Sequence, residues 1–515
     1  MNTPVVAFAI PPDVRPRSVQ ERATEGRESH PLGETAIDRV YLDTFDWRLF
    51  RAGYVLIEER ERGRRVLRLA SRGDEPTRAV SGRRPAFGRD LPDGWMRERL
   101  APILGPRRLL PRVRVRGEAS GVALLDDQEK TVVRLFVERT AAELPDGADA
   151  TLPTLARVER LRGYDADANR LAGRLADVPG AKAIDGSTLE HALRSLGEWP
   201  GTDPSRPQVT LHASTRADHA LRAILSAELS VVEANEHGVA KDLDVEFLHD
   251  LRVACRRSRA LLSELGDELD ADAVAAARDG LAWIGEQTGP LRDLDVFLAR
   301  MDGWAAGPDA ETLEPLRRAA VRARKRALRD VRKMLASKRY RAVLDAWRGY
   351  LDGDPDDTGT NGSVGRTISA AARERVRRRA ERVVERGRKI KKRTPIAKVH
   401  RLRLQAKKLR YLLDAFAPLL AKGGAPSLRA RLRKLQNALG DVNDAQVEIS
   451  HLTSLGEKLA HGSADADAAA HALLAMGRRQ AELERKLRRA RERIPGRVDR
   501  LAGDDELRAL CEDPA

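Results

Sequence analysis

HDLRVACRRSR at His249–Arg259 and HRLRLQAKKLR at His400–Arg410 align without a gap. His249 matches His400, Arg252 matches Arg403, Arg256 matches Lys407, Arg257 matches Lys408 and Arg259 matches Arg410. Downstream, GPLRDLD at Gly289–Asp295 lies on GDVNDAQ at Gly440–Gln446, and 44 residues separate His249 from Asp293 and His400 from Asp444 alike. Positions i, i+3, i+7 and i+10 fall on one side of an α-helix. His249, Arg252, Arg256 and Arg259 therefore share a face, as do His400, Arg403, Lys407 and Arg410; Arg257 and Lys408 turn away from its centre. An apolar stripe runs beside each face: Leu251, Cys255, Leu262 and Leu265 in the first, Leu402, Ala406, Leu409, Leu413 and Phe416 in the second. The apolar stripe docks into a bundle and sets the basic row at the edge of that contact.

Four cations in a row with no acid between them repel one another, whereas ordinary surface helices mix signs. One such row reads as a solvated basic face. Two rows matching position by position point to a polyanion that neutralises both. The acids Asp293, Asp295 and Asp444 sit early in what the sequence predicts to be short helices, where an Asp caps the helix or orients the basic row. Magnesium chelation is disfavoured, because two acids one residue apart on a helix converge poorly. The histidines suit hydrogen bonding to a phosphate oxygen or to an Arg. No HxxxH or HExxH pair and no CxxC is present, so neither a metal site nor a cofactor is expected.

Outward from these segments the helical order repeats. Copy one, residues 211–351, is predicted to hold helices over Leu211–His237, Glu246–Leu265, Ala273–Glu286, Leu291–Met301 and Glu311–Leu335 continuing towards Trp347. Copy two, residues 366–500, is predicted to hold Ser369–Arg388, His400–Phe416, Leu428–Ala438, Asp444–Lys458 and Ala466–Arg493. The acidic, Gly-rich stretch Asp352–Gly365 links the copies, residues 201–210 link the first copy to what precedes it, and 501–515 form a tail. Residues 1–200 differ: short alternating runs such as Asp38–Asp43, Arg65–Ala70, Pro111–Arg116, Thr131–Arg139 and Thr154–Arg160 predict antiparallel strands. The fold class is α+β, an antiparallel β-domain followed by a duplicated all-α domain.

Composition bounds the function. The chain has 515 residues, a formal net charge of +16 and 33% charged residues, which predicts an acidic or phosphorylated partner, although a surplus of Arg is also a habit of GC-rich genomes. Aromatics are 4%, too few for a base-stacking RNA surface. Cys255 and Cys511 form no framework, and Cys255 falls on the apolar side of its helix. No apolar run is long enough to span a membrane, and the opening MNTPVVAFAIPPDVRP has a short apolar run with no basic segment before it. A cytoplasmic protein with no membrane partner is expected.

Tyr41–Gly73, YLDTFDWRLFRAGYVLIEERERGRRVLRLASRG, resembles the core of the CYTH domain, the triphosphate tunnel fold, and LPRVRVRG, LDDQEKTVVRLFVERT and LARVERLRGYDADANRLAGRLA fit it loosely. The resemblance implies an antiparallel β-barrel whose Arg and Lys hold a triphosphate and whose paired Glu hold a divalent metal. The chain departs from it where the chemistry sits. In place of the family's opening ExExK strand stands VVAFAI, Val5–Ile10, and the later acidic strand reads Arg157-Val158-Glu159-Arg160. Without those carboxylates a hard cation loses its oxygen ligands, so a non-catalytic barrel is expected. Arg60, Arg62, Arg68, Arg114 and Arg116 either accept phosphate there or form the solvent face of their strands.

The paired helical motifs resemble the two halves of a CHAD domain over about residues 210–500. That resemblance implies two four-helix bundles related by a pseudo-two-fold axis, with inorganic polyphosphate bound in a basic groove between them and association with polyphosphate granules. It places His249, Arg252, Arg256, Arg257 and Arg259 opposite His400, Arg403, Lys407, Lys408 and Arg410, with Arg322 and Arg326 adding charge. Two alternatives stand beside it: sequence-independent nucleic-acid binding, fed by the basic run Arg373–Arg393, and a metal-dependent triphosphatase in the N-terminal domain.

Overall fold

Alternating apolar and polar residues build the first part of the chain, and 3.6-residue periodicity builds the second. The computed structural model describes residues 6–11, 14–61, 63–71, 77–81, 83–184, 188–199, 203–207, 209–304, 313–353, 366–391, 393–420, 425–462 and 466–512. Of the expected linkers, residues 201, 202, 208 and 354–365 lie outside them, as do Val5 and Arg62. The chain divides into two units, Met1–Pro204 and Ser205–Ala515.

The first unit is a ten-stranded antiparallel sheet: β1 (Val6–Ile10), β2 (Ser29–Asp43), β3 (Tyr54–Glu61), β4 (Arg64–Ser71), β5 (Thr77–Ser81), β6 (Leu110–Leu125), β7 (Thr131–Glu143), β8 (Asp149–Thr151), β9 (Thr154–Arg160) and β10 (Lys182–Ala183). The order is β10-β1-β9-β7-β6-β2-β3-β4-β5, with β8 pairing β7. Strand alternation explains the two faces: Val113 and Val115 of β6 are buried while Arg112, Arg114 and Arg116 point the other way. The expected barrel is not closed. Among the described residues β5 ends one edge and the two-residue β10 ends the other, with no ladder joining them. The YLDT turn is held by Asp43, whose buried carboxylate accepts from the backbone amides of Thr44 (2.6 Å), Leu49 (2.9 Å) and Phe50 (2.8 Å). Helices α1 (Pro16–Thr24), α2 (Arg48–Arg51), α3 (Trp95–Leu104), α4 (Asp165–Ala176) and α5 (Thr188–Ser195) complete this unit.

The second unit is helical: α6 (Ala217–Lys241), α7 (Val245–Leu265), α8 (Ala271–Trp304), α9 (Glu314–Leu335), α10 (Lys338–Asp352), α11 (Ile368–Arg388), α12 (Ile396–Phe416), α13 (Pro426–Gly462), α14 (Ala466–Ala502) and α15 (Asp505–Glu512). Two breaks expected from the sequence are absent. Residues 273–301 run as one helix through Pro290, and Leu428–Lys458 as one helix through Gly440. Packing of the long apolar stripes outweighs the local penalty of those two residues. One expected continuous helix is divided instead: Ser337 caps α10 by accepting from the Tyr340 amide at 3.2 Å.

α7 and α12 are the central helices. α7 packs on α6 and α8, α12 packs on α11 and α13, and the two touch each other. Every expected member of the two apolar stripes is buried. Asp244 caps α7 by accepting from the Glu246 and Phe247 amides at 2.8 and 3.3 Å. Gly238 of α6 lets Phe247 in: a Cβ there would lie 2.0 Å from the Phe247 ring.

Candidate functional site

The cations of α7 divide by what they touch. Arg252 is anchored: its Nη1 donates to the carbonyl oxygen of Gly285 at 2.5 Å and to the Thr288 hydroxyl. Burial holds its pKa below the ordinary guanidinium range, Arg256 acts the same way and Asp293 opposes. Arg257 turns to α6 and meets Glu228 Oε1 at 3.4 Å. Burial pushes Glu228 up to about 7 against that partner. Arg256 is half-buried and, among the described residues, meets no hydrogen-bond or ion-pair partner; its Nε is buried and unsatisfied. Arg259 is exposed at the end of the row, and His249 is half-buried near its start. Burial raises the Cys255 thiol to about 12, which fits core packing.

α12 repeats the division. Lys408 turns to α7, donates to Ser263 Oγ at 2.5 Å and lies 3.5 Å from Glu264. Arg403 and Lys407 are half-buried and, like Arg256, unpaired among the described residues. Burial lowers the Arg403 pKa, Asp444 opposes and Arg256 adds to the fall. Burial first, then Arg403, Arg256 and Arg410, bring the Lys407 amine down to about 7 against Asp444. Arg256 of one helix thus bears on Arg403 and Lys407 of the other. The three form a cationic cluster between α7 and α12, in which the charge of Asp444 opposes the shifts of Arg403 and Lys407. At its rim Arg410 makes long contacts with Gln436 (3.4 Å) and Asp414 (3.6 Å). His400 Nδ1 lies 3.1 Å from Asn443 Oδ1.

The acids divide between the basic row and other partners. Asp293, Asp295 and Asp444 are all mid-helix, so none is a cap. Asp295 does not orient the basic row: it is buried and accepts from Arg324 of α9 at 2.6 Å, and Arg324 also binds Asp242 at 2.6 and 2.9 Å. Asp293 is exposed, and its charge bears on Arg252. Asp444 sits 3.1 Å from Arg300 and its charge reaches Arg403 and Lys407. Arg322 and Arg326 are exposed on α9, flanking the paired Arg324.

Sequence reading missed a second basic row. A cleft of about 370 Å³ is lined by Arg300, Asp444 and Glu448 and, from α14, by Arg479, Lys486, Arg489 and Arg493. Buried Glu448 accepts from Arg300 at 2.9 Å and from Arg479 at 3.2 and 3.3 Å. Lys486, Arg489 and Arg493 are exposed. Their i, i+3, i+7 spacing is the signal that marks His249–Arg259, but it lies in a helix with many other charges. The basic run on α11 is paired in its first half: buried Arg379 meets Glu264 (3.0 Å) and Gln405, Arg378 meets Glu374 at 2.8 Å, and Arg375 meets Asp267.

In the N-terminal unit, opposite charges answer one another. Arg39 donates to Glu59 at 2.8 Å and to Glu138 at 3.2 Å, and Arg157 to Glu138 at 3.0 Å. Of the arginines singled out there, Arg68 meets Glu59 at 2.6 Å, Arg114 meets Asp38 at 2.5 Å and Arg116 lies 3.7 Å from Glu143. Arg60 lowers the Asp38 pKa through its charge. Among the described residues no three His, Cys, Asp or Glu side chains gather as metal ligands, and no helix is long and apolar enough to cross a membrane.

Residues 223–453 match the family model of the CHAD domain, and this stretch is a CHAD domain. Two uncharacterised proteins of Mycobacterium tuberculosis are each 27% identical to the chain over 339 residues, 64% of this chain. The match spans 61% of the length of those relatives. The crystal structure of the CHAD domain from the plant Ricinus communis is 23% identical, with a TM-score of 0.46, covering 56% of this chain and 95% of that one. PptA from Streptomyces chartreusis is 19% identical, with a TM-score of 0.43, covering 55% of this chain and all of that one (100%).

Proposed function

We propose that the CHAD domain at residues 223–453 binds inorganic polyphosphate without catalysis, in a basic groove whose walls are α7 and α12, the equivalent helices of two duplicated bundles. The observation that carries this reading is the cluster of Arg256, Arg403 and Lys407. Three half-buried cations that meet no carboxylate in ion-pair contact among the described residues, with the charge of Asp444 opposing only in part, are costly in the free protein, and a linear polyanion offsets that cost. Guanidinium groups meet phosphate oxygens with charge-assisted, often bidentate hydrogen bonds. Arg259 and Arg410 extend the track, while anchored Arg252 presents its remaining face. Arg257 and Lys408, each held by an acid, position the helices.

The N-terminal sheet is read as a CYTH-like domain without hydrolytic activity. Its opening strand carries no carboxylate, and Arg39, Arg68, Arg114, Arg116 and Arg157 already have acidic partners. The protein would work in the cytoplasm, on polyphosphate granules. Nucleic acid is the less favoured ligand, because Arg375, Arg377, Arg378 and Arg379 of the basic run on α11 already meet internal acids. The test is competition between long-chain polyphosphate and duplex DNA at several salt concentrations, since both bind by counterion release and lose affinity as salt rises. Polyphosphate displacing DNA at equal phosphate concentration supports the reading; the reverse order overturns it. Arg256→Gln with Arg403→Gln should weaken polyphosphate binding by about a hundredfold, because it removes two charge-assisted hydrogen-bonding groups, with the circular dichroism of the helices retained.

A further inference from the structure

The cleft between α13 and α14 presents a second set of cations. One wall carries Asp441, Asp444 and Glu448 at i, i+3 and i+7 of α13; the other carries Lys486, Arg489 and Arg493 at the same spacing on α14. Buried Ala445, Leu483 and Ala490 close the floor. Most of the acid is already answered. Arg300 reaches from α8 to Asp444 at 3.1 Å and to buried Glu448 at 2.9 Å, and Arg479 meets Glu448 at 3.2 Å. Lys486, Arg489 and Arg493 are exposed and have no hydrogen-bond or ion-pair partner among the described residues; Asp441 is in the same condition. Three free cations against one free acid leave a positive surplus that an anionic ligand would meet. At about 370 Å³ the cleft lies at the lower end of ligand sites, about 300–1,000 Å³, which suits a thin linear anion better than a duplex.

The cleft and the α7–α12 cluster lie on different sides of α13. Towards α12 that helix turns Gln436, which donates to the Ala406 carbonyl oxygen at 2.7 Å, and Asn443, which lies 3.1 Å from His400. Asp441, Asp444 and Glu448 fall about a third of a turn away, at about 100° per residue. Asp444, whose charge also bears on Arg403 and Lys407, stands between the two basic sites as an acidic divider. α14 itself lies beyond residues 223–453, the stretch matched by the family model. We propose that the cleft is a second phosphate-chain site, so that one molecule holds two polyphosphate segments and cross-links separate chains. Lys486, Arg489 and Arg493 would donate charge-assisted hydrogen bonds to the second segment. Two sites on one molecule make it a junction between chains rather than a coat on one of them. This rests on the reading of the α7–α12 cluster as a polyphosphate groove.

The full chain is titrated with a short linear polyphosphate by calorimetry and with long-chain polyphosphate by light scattering. The parent should bind two short chains per molecule. With long chains it should scatter strongly at intermediate ratios and clear again when polyphosphate is in excess and every site holds its own chain. Arg489→Gln with Arg493→Gln should bind one short chain, and should still bind the long chain while losing most of the scattering. Arg485→Gln with Arg488→Gln is the charge-matched control, since both residues are exposed on α14 and line no part of the cleft; it should behave as the parent. A parent that binds one short chain overturns the proposal, and so does an equal loss of scattering in the cleft and control variants. A cleft variant that loses duplex DNA but keeps the parent's short-chain stoichiometry also overturns it, and makes the row a nucleic-acid contact. Arg256→Gln with Arg403→Gln separates the two readings. One chain per parent molecule, lost in that variant, removes the cleft alone; one chain lost instead with Arg489 and Arg493 removes the groove and, with it, the cross-linking.

Discussion

Polyphosphate binding should take up a proton, and Lys407 should be where it goes. In the free protein the amine titrates near 7, because burial and then Arg403, Arg256 and Arg410 oppose its charge. A bound polyanion supplies the missing countercharge and returns the amine towards the ordinary value of about 10.4. Linkage is reciprocal: a ligand that raises a pKa binds better as pH falls through that window. With full restoration, affinity should drop about 20-fold between pH 6.5 and pH 8.5 and level off below about pH 6, where the free site is already charged. Proton uptake should be about 0.9 per site at pH 8 and about 0.1 at pH 6. Titration calorimetry in buffers of different ionisation enthalpy reads that uptake directly. Lys407→Arg carries a fixed charge and should bind with little pH dependence. Its residual slope reports the terminal phosphates of the ligand. Equal uptake by Lys407→Arg and the parent chain would refute the reasoning.

Three further outcomes follow from the same geometry. Arg403→Gln should raise the thermal midpoint by a few degrees, about 1 kcal/mol, while weakening polyphosphate binding, since an unpaired cation kept for ligand is a burden on the free fold; a lower midpoint would show that Arg403 is structural. Glu264→Gln should destabilise the domain by about 3–5 kcal/mol in denaturant titrations, because it leaves the buried guanidinium of Arg379 uncompensated; a loss below about 1 kcal/mol would remove the link that ties α7 to α11 and α12. Glu228, raised to about 7, should contribute stability that is full below pH 4 and lost as pH rises through 7, and Glu228→Gln should remove that component from the pH–stability profile.

Periodicity placed the basic rows and the apolar stripes on their faces, because both are properties of one helix and its 3.6-residue turn. Which cations stay unpaired was not legible. Arg252 and Arg256 sit one turn apart on the same face, yet Arg252 is anchored by Gly285 and Thr288 on the next helix and Arg256 is not. Those partners come from the packing of α8, which no spacing within α7 encodes. The offset of Arg257 and Lys408 from the centre of the face was visible, but not the acids that receive them, Glu228 on α6 and Glu264 on α7 itself. Breaks at Pro290 and Gly440 were misread for a related reason: local punctuation is a weak term beside the burial of a long stripe. The open sheet was hidden too, since closure depends on whether two distant edge strands meet.

The two motifs match in sequence and then differ in use. At the matching positions 256 and 407 one motif has Arg and the other Lys, and both stand without an ion-pair partner among the described residues. A guanidinium stays charged at any physiological pH, while an ammonium among guanidiniums does not. The pair therefore joins a permanent anchor to a titrating one. A second Arg at 407 would hold anions at every pH and forfeit the proton linkage. On the polyphosphate-binding reading, the asymmetry between the matching helices α7 and α12 is where pH dependence of binding would reside.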